Sequence, residues 1–149
     1  NWEIKFDPIK AVSEEIYNQY QQLQDIQEQD ILFVNDGTFL IGRTAMVTKL
    51  DLKIIIQSHV RKIRVLKKNF IDPYYLFYLF NSKIVRKQIE SKTFVQATIS
   101  TIGNRLREVI LPIINDKTEM EQIINEVKYI IEEKTKLREK TINILENSI

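Results

Sequence analysis

The sequence predicts an α+β fold: a twisted, mostly antiparallel sheet with packed helices and a long C-terminal coiled-coil-like helix. Three observations predict it. Short apolar and β-branched runs bounded by turn residues, such as ILFV at 31–34 and the alternating VRKIRV at 60–65, read as strands. The pair Asp72-Pro73 ahead of YYLFYLF marks a helix with an Asp cap, Pro in its first turn and apolar residues nearly all round, hence buried. From Asp116 onward the apolar period changes to 3-4 spacing, sustained for about four heptads.

In chain order, Val12 to Leu23 is a predicted helix with Ser13 as N-cap and Glu14 and Glu15 in the favourable first turn. A glutamine-rich stretch leads to Asp30 and the ILFV strand. Asn35-Asp36-Gly37 then predicts a hairpin, because the tight turn needs positive φ and glycine supplies it. Phe39 to Val47 is the returning strand, interrupted at Gly42 by a bulge or a close backbone approach. Ile54 to Ile56 and Val60 to Leu66 are further predicted strands. After the helix at Asp72, Asn81-Ser82 breaks or re-caps the chain, and Lys83 to Glu90 continues as an amphipathic turn or two. Thr93 to Thr101 is expected to be extended, Gly103-Asn104 to turn, and Leu106 to Leu111 to form a strand ending at Pro112. Asp116-x-x-Glu119 is a capping box for the last helix. Its stripe is Met120, Ile123, Val127, Ile130, Lys134, Leu137, Thr141 and Ile144. A helix this long must bury that stripe on another helix, so self-association through 116–148 is expected.

Composition narrows the function classes. At 149 residues with 44% hydrophobic content the chain can build a real core. It contains no cysteine, which removes disulfides, thiolate metal sites and cysteine nucleophiles and fits a cytoplasmic protein. The longest apolar run, Tyr74 to Phe80, is too short to span a bilayer, so no membrane partner is expected. The chain begins at Asn1 without Met or a leader, as an excised piece of a longer protein would. The net charge of +2 hides a partition: residues 1–36 carry −6, residues 37–107 carry +11, and residues 108–149 carry −3. A basic middle between acidic flanks is the footprint of a polyanion-binding module.

Catalytic constellations are weak. Gly37 and Gly42 have P-loop spacing and are followed by Arg43-Thr44, but the loop leads into a strand where the motif requires a helix. Asp72-Pro73-Tyr74-Tyr75 resembles the signature of amino-methyltransferases yet lacks its second proline and any glycine-rich cofactor strand. His59 is the only histidine, and the basic middle holds only three acids, so no metal, cofactor or catalytic residue is assigned. Side chains suited to base edges and phosphates are plentiful. They are Asn35, Thr38, Arg43, Thr44, Gln57, Ser58, His59, Arg61, Arg64, Gln96, Thr98, Asn104 and Arg105, with Lys67, Lys68 and Lys92 for phosphates. Lys62, Lys83, Arg86 and Lys87 suit phosphates too.

Their order along the chain resembles a known family. Asp30-Ile31-Leu32-Phe33, Asp36-Gly37-Thr38, Ile41-Gly42-Arg43, Gln57-Ser58-His59, Ile63-Arg64, Asp72-Pro73-Tyr74-Tyr75-Leu76, Leu79 and Asn81-Ser82 resemble the target recognition domain of type I restriction–modification specificity subunits. The likeness continues through Gln88-Ile89, Gln96-Ala97-Thr98-Ile99, Leu106 and Ile110-Leu111-Pro112, then Glu121-Gln122-x-Ile124 at the start of a helix similar to that family's spacer. The resemblance implies a non-catalytic, sequence-specific reader of double-stranded DNA that positions methyltransferase and endonuclease subunits or domains. It also implies a recognition domain over 1–114 and a spacer or dimerisation helix over 115–149. Similar domains end fused N6-adenine DNA methyltransferases, which is one alternative; a helical assembly module without DNA readout is another.

Overall fold

The computed structural model describes residues 2–5, 10–37, 39–96 and 99–146, and the fold is α+β. Helix α1 (Glu14–Gln24) starts where Ser13 Oγ accepts from Ile16 N at 3.3 Å, and Asp25 ends it in the left-handed region. Strand β1 (Ile31–Val34) is the centre of an antiparallel sheet, with β3 (Thr44–Met46) on one side and β4 (Val60–Ile63) on the other. Its Ile31 and Phe33 are fully buried.

The expected single sheet is two. At Asn35 the chain leaves the first sheet, and β2 (Asp36–Gly37) joins β6 (Ile99–Thr101) and β5 (Phe94–Gln96) in a second antiparallel sheet, order β2-β6-β5. Asn35 ties the two together, since its N–H donates to the His59 carbonyl at 2.8 Å and its carbonyl accepts from Ile102 N at 3.1 Å.

This corrects the Asp36-Gly37 hairpin. Strands β1 and β3 do form a hairpin, but it closes at Leu40–Arg43, where Arg43 N donates to Leu40 O at 2.9 Å. Gly42, with φ of 76°, occupies the third position, which in a type II turn requires positive φ. The close approach expected at Gly42 is made to the chain itself. A Cβ there would sit 2.7 Å from Ile89 Cγ2 and 2.8 Å from an Arg86 guanidinium nitrogen.

Helix α2 (Pro73–Asn81) begins as predicted, with Asp72 Oδ1 accepting from Tyr74 N at 2.7 Å. Tyr75, Leu76, Phe77, Leu79 and Phe80 are buried. Ser82 then closes α2 and caps α3 (Lys83–Lys92).

Two predicted strands are absent, for the same reason. Residues 54–56 pair with no strand among the described residues; the Gln24 side chain instead donates to Ile56 O at 2.8 Å and accepts from Ile56 N at 2.7 Å. Leu106 to Leu111 is replaced by a 3-10 turn (Gly103–Glu108) and coil, where Gln88 grips Ile110 in the same two-bond manner at 2.8 and 2.9 Å.

Helix α4 (Lys117–Glu146) is capped by Asp116 Oδ1, which accepts from Thr118 N and Glu119 N. Its 30 residues extend about 45 Å. Part of its apolar surface is buried within the chain itself. Val127 and Ile131 join the same core as Phe33 and Phe77, and Arg138 reaches the buried Asp51 at 2.8 Å. Ile130, Leu137 and Ile144, seven residues apart, are exposed instead.

Gly42→Ala should destabilise the protein by about 2–4 kcal/mol, combining left-handed strain with overpacking against Ile89. Gly37→Ala, where nothing lies within 4 Å of the new methyl, should cost about 1 kcal/mol. Urea unfolding of the two variants checks the order; equal losses would contradict the packing role of Gly42.

Candidate nucleic-acid interface

Because β4 runs antiparallel to β1, the candidate residues separate to the two ends of the central strand. Val60 pairs with Val34 and Ile63 with Ile31, so residues 57–59 lie by Asn35 while residues 64–68 lie beyond Ile31. The four paired residues put roughly 13 Å between the ends.

At the Ile31 end Lys62, Arg64 and Lys68 are engaged within the chain. Arg64 Nε and one terminal nitrogen hold both oxygens of Asp30 at 2.6 and 2.7 Å, and its other terminal nitrogen holds Asp25 Oδ2 at 2.6 Å. Arg64 also donates to the Asp25 carbonyl. Asp30 is only 1% exposed, and Arg64 is the cation that pairs with it in the interior. The Arg64 hydrogen bond holds the Asp25 carboxyl below its ordinary range, and Gln27 adds to the effect. Its stabilisation is therefore present above the ordinary aspartate pKa and is lost as pH falls through the lower folded value. Lys62 donates to the carbonyls of Gln24 and Asp25, and Lys68 to Gln29 Oε1 at 2.6 Å. Lys67 is exposed next to them.

Several residues expected to face DNA have partners within the chain. Thr44 is buried and accepts from Asn81 Nδ2 at 2.7 Å. Asn35 is buried at the joint between sheets, its amide 3.5 Å from Thr101 Oγ1. Arg64 belongs to the Asp25–Asp30 cluster, and Lys92 pairs with Glu108 at 3.4 Å. Thr44 and Asn35, short polar side chains beside the central strand, satisfy buried groups, whereas Arg64 and Lys92 are drawn to carboxylates of their own chain. Thr38, Thr98 and the side chain of Gln96 lie outside the described residues.

The Asn35 end differs. Arg43 is exposed beside the Gly42 turn and has no carboxylate partner among the described residues. Gln57, Ser58 and His59 are exposed on the turn entering β4, with His59 Nδ1 2.6 Å from Asp36 Oδ1. Arg61 is half-buried on β4. Asn104 and Arg105 are exposed on the 3-10 turn after β6, and the Arg105 guanidinium lies 4.8 Å over the Phe94 ring. Arg86 reaches the same turn through Gly42, with Lys83 and Lys87 exposed on either side of it along α3. Phe94 was not singled out by the sequence. Its pattern as part of an extended run gave no sign that Arg105 would fold back onto it.

Among the described residues no cluster of three metal-ligating side chains occurs, and no helix is long and apolar enough to cross a membrane. A groove of about 280 Å³ runs elsewhere, between α4 and Tyr74, Met46 and Lys49. Comparisons with protein-family models, with curated proteins and with solved structures find no match to this chain.

Arg64→Ala should lower stability by about 3 kcal/mol, because it leaves Asp30 buried and unpaired, and should return the Asp25 titration towards the ordinary aspartate range. Arg105→Ala should change stability by under about 0.5 kcal/mol. Guanidinium unfolding and carboxyl NMR titration check both; an Arg64 variant as stable as the parent would contradict the structural role.

Proposed function

We propose that this chain is a non-catalytic, sequence-specific recognition module for double-stranded DNA within a restriction–modification system, positioning methyltransferase and endonuclease subunits or domains. The observation that carries the reading is that Arg43 and Arg105 are exposed on turns by the Asn35 end of β1, with Arg61 on β4 opposite Phe33. None of these three is held by a carboxylate among the described residues. Gln57, Ser58 and Asn104 lie exposed at the same end. Guanidinium forks suit guanine edges and phosphates, while amides and hydroxyls suit adenine edges and phosphates. Turns carry most of these groups and the two sheets fix the turns, as a reader that must hold its side chains in register requires. The order of motifs from residue 30 to 149, similar to specificity-subunit recognition domains, supports the same reading. A C-terminal recognition domain of a fused N6-adenine methyltransferase would use this surface identically.

The exposed Ile130, Leu137 and Ile144 support a second role for α4 in pairing with another helix, which is also what a pure assembly module would need. DNA affinity separates the two. Binding to random-sequence duplex should weaken steeply with salt, with a log–log slope of about −4 to −6 for five or so phosphate contacts. Arg43→Ala and Arg105→Ala should each weaken binding and flatten sequence preference, whereas Lys68→Ala, at the opposite end, should leave both unchanged. Absence of duplex affinity at low salt, together with dimerisation by sedimentation, would favour the assembly module.

A further inference from the structure

The tip of the β1–β3 hairpin carries a feature that charge and hydrogen bonding do not explain. Phe39 is 88% exposed and the adjoining Leu40 is 50% exposed. Single exposed apolar residues are ordinary on protein surfaces; the placement of this pair is what distinguishes it. The hairpin base is fixed, with Gly42 N donating to Val34 O at 2.8 Å, Val34 N to Arg43 O at 2.9 Å, and Gly42 packed on Ile89. Phe39 immediately precedes this anchored turn of Leu40–Arg43. Along the loop Asp36, which meets His59 Nδ1 at 2.6 Å, lies three residues before Phe39 and Arg43 four residues after it, and Arg86 of α3 reaches Gly42. Lys83 and Lys87 extend the positive charge along α3, whose one acid is Glu90.

We infer that Phe39 is a wedge that inserts between base steps of duplex DNA, with Leu40 packing behind it and the flanking cations holding the phosphates on either side. This rests on the DNA-recognition reading above and adds to it a mode of engagement, insertion and local unstacking. An exposed ring on a loop that also carries Arg43, with the cations of α3 behind Gly42, suits a base stack bordered by phosphates. A protein pocket would call for a wider apolar rim around the anchor. Phe and Leu are side chains that unstack and kink DNA when inserted, and each aromatic stack on a base contributes substantially to binding. The anchored turn limits the ordering cost of presenting the ring.

The test uses the whole chain and short random-sequence duplexes in which 2-aminopurine replaces a fraction of the adenines, at low salt. The parent should raise the 2-aminopurine fluorescence on binding, because the base is unstacked. Phe39→Ala should abolish that rise and weaken binding roughly tenfold, while the salt dependence stays as in the parent. Phe39→Tyr should restore the rise. The side chain is exposed, so none of these changes should alter the unfolding midpoint, which is measured alongside. Duplexes with a central abasic site, already unstacked, should bind the parent more tightly but Phe39→Ala no more tightly than intact duplex. Steep salt-dependent binding without a fluorescence rise, or an Ala variant indistinguishable from the parent, overturns the wedge and leaves the recognition reading standing. Absence of duplex binding by every variant overturns both.

Discussion

The fold depends on burying one helix on nearly every side. Helix α2 is apolar around its circumference, so no single face can satisfy it. Phe80 meets Phe33 of β1, Phe77 takes the edge of Trp2 at 5.2 Å, and α4 lies along the remaining side. The few polar groups on α2 are used as fasteners. Tyr75 hydroxyl accepts from Ile114 N at 2.9 Å just before α4, and Asn81 donates to Thr44 on β3. The first sheet, α3 and α4 are thus positioned by one element, and with them both ends of β1.

The charge partition has two meanings, and the structure separates them. A share of the basic middle faces the acidic flanks of its own chain: Arg64 takes Asp25 and Asp30, Lys49 takes Glu139, and Lys92 takes Glu108. Arg138 reverses the sense, bringing a cation from the acidic C-terminal segment to Asp51 in the middle. Net charge along a sequence therefore overstated the surface potential. What remains unpaired is concentrated by position. Carboxylates of the first flank reach the Ile31 end of β1, while at the Asn35 end Asp36 is held by His59.

The helices were legible because their signals are local. Ser13, Asp72, Ser82 and Asp116 each cap the helix that follows, and capping needs only neighbours in sequence. Strands were legible only where a partner strand existed. Ile54 to Ile56 and Leu106 to Leu111 have strand composition, but Gln24 and Gln88 supply the backbone partners that a neighbouring strand would have supplied. A side chain acting from 32 or 22 residues away leaves no periodic trace. At the candidate site the same limit applies. Residue type marked Arg43 and Arg105 as readers and Arg64 equally so, but only the fold shows which guanidinium meets a buried aspartate.

The hairpin between β1 and β3 joins these themes. Asp36-Gly37 looks like its turn by local rules, yet those residues are drawn into the second sheet by pairing with Ser100 and Thr101. The turn then falls to Gly42, the glycine that can both take positive φ and let the backbone rest on Ile89. Tertiary pairing thus moved the turn five residues along and opened the loop between. The opened loop leaves Phe39 and Arg43 facing outward from a base held by α3. Had Asp36-Gly37 closed a two-residue turn, residues 39 to 43 would have continued as strand and alternated between faces. The displaced turn is what gives this end of the molecule a projecting tip at all.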